Sequence, residues 1–215
     1  MILIDTHCHL YLEDFAEDIA DILQRADNEG VKKFYLPAID GATMLALLDL
    51  ERRYPGRCIA MAGLHPCSVK ADYREELRRV EELLGARKFA AVGEIGLDFY
   101  WDRSFDKEQY EAMNIQIGLA LEHDLPIVIH SRESMQQTID VVRLQQRGSL
   151  RGIFHCFTGD LASAKQIIDM GMYMGIGGVI TFKNSTLPTV IKETGIDHVV
   201  LETDAPYLTP APFRT

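Results

Sequence analysis

Cysteine, basic residues and long apolar runs are all scarce in this 215-residue sequence, and each shortage narrows what the chain can be. Its four cysteines, Cys8, Cys58, Cys67 and Cys156, show no C-x-x-C spacing and are too sparse for a disulfide framework, so a reducing cytoplasm is the expected compartment. The least polar long stretch, Gly171 to Phe182, is glycine-rich and falls well short of the roughly 20 apolar residues a bilayer crossing needs, so no membrane partner is expected. Asp5, His7 and His9 interrupt the apolar start and no basic lead-in precedes them, which argues against a secretory signal. Lys plus Arg number 22 against 32 for Asp plus Glu, a formal charge of −10. That balance argues against a protein that coats nucleic acid non-specifically, but leaves room for a nucleic-acid enzyme whose local field is set by bound metal.

What is present describes one soluble globular domain over residues 1–215: 47% apolar and 25% charged residues, with no linker, repeat or low-complexity tract. Short β-rich runs alternate with helical patterns from end to end. The strand candidates are 2–6, 33–37, 58–63, 90–95, 126–130, 152–155, 173–176 and 198–202. Between them, residues such as Phe15, Ile19, Ile22, Leu23 and Ala26 recur at helical spacing, and that run ends at Gly30. The link 184–193 is the weakest, because Pro188 interrupts it. Nearly all-apolar strands such as Ile127, Val128 and Ile129 suit a parallel sheet covered on both faces. The count of strands favours an α/β fold closed as a (β/α)8 TIM-type barrel over an open doubly wound sheet, and no strand is followed by a glycine-rich phosphate loop. Only a proline-rich tail, 205–215, follows the eighth strand, where such a barrel normally has a covering helix. The expectation is exposed apolar surface there, a covering partner, or a truncated chain.

His7 and His9 leave the same face of an extended segment, which lets two imidazoles reach one ion. Glu94 lies near the end of the fourth strand, His130 and His155 end the fifth and sixth, and Asp204 follows the eighth. In a parallel barrel these positions share one rim, where active sites of this architecture are built. Carboxylates crowded together repel, and divalent cations remove that cost. The set His7, His9, Glu94, His130, His155 and Asp204 offers the mixed nitrogen and oxygen ligands of a binuclear zinc or manganese centre, with a carboxylate able to bridge. His65, in Gly63-Leu64-His65-Pro66, opens onto the same rim, either to hold substrate or to cap a turn. Arg132 is placed to bind an anion such as phosphate, or to pair with Glu133 or a rim carboxylate. Phe99, Tyr100 and Trp101 follow the fourth strand and suit either base stacking or loop packing. Cys8 and Cys156 should face away from the site; His123 and His198 read as structural.

Six pieces together resemble the TatD family of metal-dependent deoxyribonucleases in the amidohydrolase superfamily: I-D-T-H-C-H-L at 4–10, G-L-H-P at 63–66, G-E-I-G-L-D-F at 93–99, I-H-S-R at 129–132, H-C-F-T-G at 155–159 and E-T-D-A-P-Y at 202–207. The resemblance implies a barrel, two divalent ions (zinc, magnesium or manganese) and hydrolysis of phosphodiester bonds in DNA, single-stranded or at its ends. It carries ligand roles onto the same six residues, with Glu94 as the bridge. Asp204 and Glu94 are then the expected catalytic residues, and His65 and Arg132 the substrate-binding ones. Similar sequences usually continue past the proline-rich turn with a basic Gly-Lys-Arg-Asn segment and terminal helices, whereas this one ends at Arg214-Thr215. Two rival readings keep the metal: hydrolysis of a small ester, lactone or amide, and a non-catalytic metal-binding scaffold.

Overall fold

A computed structural model describes residues 1–214. Eight strands follow one another in sequence: β1 (Leu3–Asp5), β2 (Val31–Leu36), β3 (Cys58–Ala60), β4 (Val92–Asp98), β5 (Ile127–Arg132), β6 (Gly152–Phe154), β7 (Tyr173–Ile176) and β8 (Val199–Leu201). Seven helices alternate with them: α1 (Ile19–Asn28), α2 (Gly41–Arg53), α3 (Tyr73–Ala86), α4 (Asp106–Glu122), α5 (Met135–Gln145), α6 (Leu161–Asp169) and α7 (Leu187–Thr194). All strand pairs are parallel and sequential, in a β1-β2-β3 run and a β4-to-β8 run. Backbone hydrogen bonds join the runs, from Ala90 to Ala60 and Gly93 to Ala62 at one seam and from Thr6 to Leu201 at the other. The result is the TIM-type barrel.

Residues that alternate along the strands separate an outer core from an inner one. Ile127, Ile129, Phe154 and Met174 face the helices, where Met113, Ile117, Ile139, Val142 and Ile167 bury against them. Val128 and Met61 point inward, with Ala91 and Tyr35, and fill part of the lumen. Pro188 falls in the first turn of α7, where its missing N–H costs nothing, so the weak link in the sequence is a helix after all. α2 starts on a reciprocal cap between Asp40 and Thr43. No helix among the described residues is long and apolar enough to cross a membrane. Ile2 and Leu201, 75% and 55% exposed, line one apolar pocket that also takes in Met61 and Val128, so apolar surface does lie open where β1 and β8 adjoin.

α4 sets the height of the rim. Its buried Gln109 and Gln116 stand seven residues apart on one helical face, and each amide makes a two-way hydrogen bond to backbone: Gln109 to the N–H and C=O of Asp98, Gln116 to those of Leu64. The ends of β4 and of the segment after β3 are thereby tied to one rigid element.

Candidate metal centre

The seven side chains His7, His9, His65, Glu94, His130, His155 and Asp204 converge at the C-terminal mouth of the barrel. Each of three overlapping groups brings its ligand atoms within 4.8 Å of one another. The six expected ligands do meet, and His65 joins them. β4 and β5 run further than the sequence suggests, pairing as far as Asp98 and Arg132, so Glu94 and His130 lie inside their strands. Phe99 N–H donating to Arg132 C=O continues that ladder one residue beyond β4.

Glu94 is at the centre, 1% exposed, and its two oxygens face different histidines. Oε2 lies 3.2 Å from His7 Nε2 and 3.8 Å from His9 Nε2. Oε1 lies 2.7 Å from His155 Nε2, 2.9 Å from His130 Nδ1 and 3.4 Å from His65 Nε2. Asp204 Oδ1 joins the Oε2 side, 3.7 Å and 3.6 Å from His7 and His9. Asp204 and Cys156 hold left-handed backbone, with φ of 58° and 44°, which turns the chain at the rim directly at and after two of the ligands.

Hydrogen bonds decide which nitrogen each ring offers. Tyr11 donates its hydroxyl proton to Pro37 C=O at 2.7 Å, so toward His9 Nδ1, 2.9 Å away, it can only accept. His9 therefore carries its proton on Nδ1 and turns an Nε2 lone pair to the centre. His130 donates Nε2–H to Asp98 at 2.8 Å, which leaves Nδ1 facing Glu94. His65 is set the opposite way. Its Nδ1 accepts from Cys67 N–H at 3.0 Å, so its proton sits on Nε2 and points at the centre as a donor.

The cluster carries an unmet need for positive charge. His7 is fully buried, yet neither ring nitrogen has a hydrogen-bond partner, and His155 Nδ1 is likewise unpartnered. Buried polar atoms in a native fold are normally satisfied, and a divalent cation at the centre would take the lone pair of His7 Nε2, the unpartnered nitrogen that faces Glu94. Ionisation tells the same story. Burial, then the neighbouring His155, pulls His7 down to about 4. Burial opposes a charge on His155 too, but the Glu94 carboxylate pushes that ring up to about 10 although the two imidazoles stack at 3.8 Å. Burial also works against ionised Glu94, yet His155, His7 and His65 hold it well below the usual carboxylate range. A cation fits this donor set.

Three supporting residues escaped the sequence reading. Asp98, 1% exposed, holds His130; Tyr11 fixes the tautomer of His9; Glu202 is buried beside His155, with Oε1 3.8 Å from its Nδ1. Burial pushes Glu202 up to about 8. Each lies two or four residues from a ligand, and that spacing was the available signal: Asp98 from Glu94, Tyr11 from His9, Glu202 from Asp204. Arg132 pairs with no carboxylate among the described residues; its guanidinium lies 3.9 Å over the Tyr100 ring. Cys8 is fully buried, His198 bonds Met172 C=O at 2.9 Å, and His123 ends α4.

The sequence pattern described as TatD-related DNase matches residues 4–215. The chain belongs to that family. It is a metal-dependent hydrolase of the TatD family by this match and by its relatives. It is 36% identical over 99% of its length to an uncharacterized metal-dependent hydrolase, YabD, of Bacillus subtilis, covering 83% of that protein. It is 29% identical over 99% of its length to the 3'-5' ssDNA/RNA exonuclease TatD of Erwinia tasmaniensis, again covering 83%. Among solved structures, the TatD homologue YjjV of Escherichia coli superposes with a TM-score of 0.92 at 32% identity, over 99% of this chain and 82% of that one.

Proposed function

We propose that this TatD-family hydrolase cleaves phosphodiester bonds in DNA, on single strands or at ends, using two divalent cations held at the rim. The observation that carries the reading is the split of Glu94, whose two oxygens address two separate histidine sets. His7, His9, Asp204 and Glu94 Oε2 would hold one ion; His130, His155 and Glu94 Oε1 would hold the other. Zinc, magnesium and manganese are the candidates. When bound, such ions supply charge against a phosphate and bring the pKa of water towards neutrality.

The chain's own residues do the rest. Of the three rings whose tautomer the hydrogen bonds fix, His65 is the one that turns an N–H to the centre, where it faces His130 Nδ1 at 3.3 Å, and it would donate that proton to a non-bridging phosphate oxygen. Arg132, exposed at the end of β5 two residues beyond His130, would add a guanidinium fork for the same phosphate. Asp204 retains 14% side-chain exposure where Glu94 has 2%, so it is the carboxylate that meets entering water and accepts its proton. The Erwinia relative's description as a single-stranded DNA and RNA exonuclease supports a nucleic-acid substrate.

The test strips the protein with a chelator and restores zinc, magnesium or manganese singly. Cleavage of end-labelled single-stranded oligonucleotides is then followed beside a panel of small esters and lactones. Restored cutting is expected, falling about 100-fold or more in Asp204→Asn, the usual scale for losing a positioned acid or base. Turnover of the small-molecule panel alone, or full nuclease activity in Asp204→Asn, overturns the proposal.

A further inference from the structure

Phe99, Tyr100 and Trp101 are consecutive, but only the first packs: Phe99 is 8% exposed, while Tyr100 and Trp101 are 48% and 67% exposed. Loop packing therefore accounts for Phe99 and not for its neighbours. The two open rings meet edge-on, centroids 4.9 Å apart, and Arg132 caps the corner at 3.9 Å from Tyr100 and 5.2 Å from Trp101. Other cations nearby are engaged, Lys70 with Asp102 and Arg103 with Asp106. Arg132 is not.

This corner is built into the metal centre rather than hung beside it. Asp98 Oδ1 accepts the backbone N–H groups of Tyr100 at 3.0 Å and Trp101 at 3.1 Å, while Oδ2 holds His130 at 2.8 Å. One buried carboxylate thus fixes the aromatic loop and a rim histidine in a single frame, and Arg132 sits two residues beyond that histidine. A rigid π surface with an adjoining guanidinium suits a flat, electron-rich ring attached to an anionic backbone. In a duplex the faces of the bases are already stacked, so only an unpaired base can use such a surface.

We propose that Tyr100, Trp101 and Arg132 form a stacking subsite for one unpaired nucleobase of a single-stranded nucleic acid, next to the phosphate being cut. The proposal rests on the nuclease reading above and adds the reason for strand selectivity. Trp101 supplies the open face; Arg132 bridges the subsite and the phosphate.

Trp101 is the sole tryptophan, so its fluorescence reports the subsite directly. Metal-loaded protein is titrated with a phosphorothioate-linked single-stranded oligodeoxynucleotide, with the same probe carrying one abasic position in turn, and with a blunt duplex. Quenching by the single strand and not by the duplex is expected. Labelled-probe anisotropy should show Trp101→Ala binding roughly tenfold more weakly, within the range for losing one base–aromatic stack. Trp101→Phe should recover most of that loss. One abasic position should weaken wild type by a similar factor and leave Trp101→Ala unchanged, and metal content should be equal in all three proteins. Binding without quenching, or equal affinity of wild type and Trp101→Ala, overturns the subsite. Cleavage of an ordinary oligonucleotide in the same preparations separates the two ideas. Normal cutting with no Trp101 dependence sinks the subsite alone; base-dependent quenching with no cutting sinks the nuclease reading alone; neither binding nor cutting sinks both.

Discussion

An imidazole can offer a metal only the nitrogen its neighbours leave bare, and here those neighbours are Tyr11 for His9 and Asp98 for His130. Asp98→Asn should keep the fold and weaken metal affinity about 10- to 100-fold, the scale for losing a carboxylate behind a ligating histidine. Titration against a chromogenic chelator measures it, and wild-type affinity would refute the positioning role. The metal-free protein should also show a characteristic pH dependence. His155 is raised from 6.5 to about 10, so its contribution is complete below pH 6.5 and disappears as pH rises towards 10. Glu202 is raised from 4.5 to about 8 and is most stable protonated, so its contribution also declines with rising pH, between 4.5 and 8. Both act together from pH 6.5 to 8, where the melting temperature of metal-free protein is expected to fall. Saturating metal should flatten that slope because the cation replaces the proton. A metal-free melting temperature that rises across the interval contradicts the charge arrangement. The ligands themselves were legible because His and Glu at strand ends stand out from apolar surroundings. Asp98 and Glu202 gave only their spacing from Glu94 and Asp204, since one more carboxylate near a loop looks like ordinary surface until burial is known.

Strands carried most of the legible fold. Apolar runs mark β5 and β7 because both faces are covered, and the positions of all eight strands follow from that pattern. Their lengths do not, since polar Asp98 and Arg132 extend β4 and β5 by pairing with each other's backbone at a rim where side chains serve the site. The two clamping glutamines of α4 were equally silent, because an amide on a helix announces neither its burial nor its partner. Gly96 shows what close strand contact requires. It holds φ of +145° opposite His130, and a Cβ there would stand 2.0 Å from the His130 carbonyl oxygen. Gly96→Ala should therefore cost roughly 3 kcal/mol through backbone strain and overpacking. Urea unfolding of the metal-loaded protein reads this, and an unchanged midpoint would show that β4 and β5 can separate freely.

At the scale of the molecule, the barrel closes where the chain's first and last strands meet. That seam has few ladder hydrogen bonds and is completed by Asp5, whose carboxylate accepts from Thr203 N–H at 3.0 Å and from the Thr203 hydroxyl at 2.6 Å. Residues 198 positions apart are joined by that one side chain. Contacts of such separation carry the greatest loop-closure entropy and form late in folding. His7 and His9 lie on one side of this junction and Asp204 on the other, so a cation shared among them would act as a clasp on the finished ring. Chelation should then speed amide exchange at Thr6 and Thr203 well before the Ile127–Ile129 core responds. Uniform exchange across both regions would show that the seam holds unaided. If the clasp operates, cation occupancy reports completion of the ring: a chain still emerging from the ribosome, lacking its last strand, has no full set of ligands and cannot hold its cation until the final turn is made.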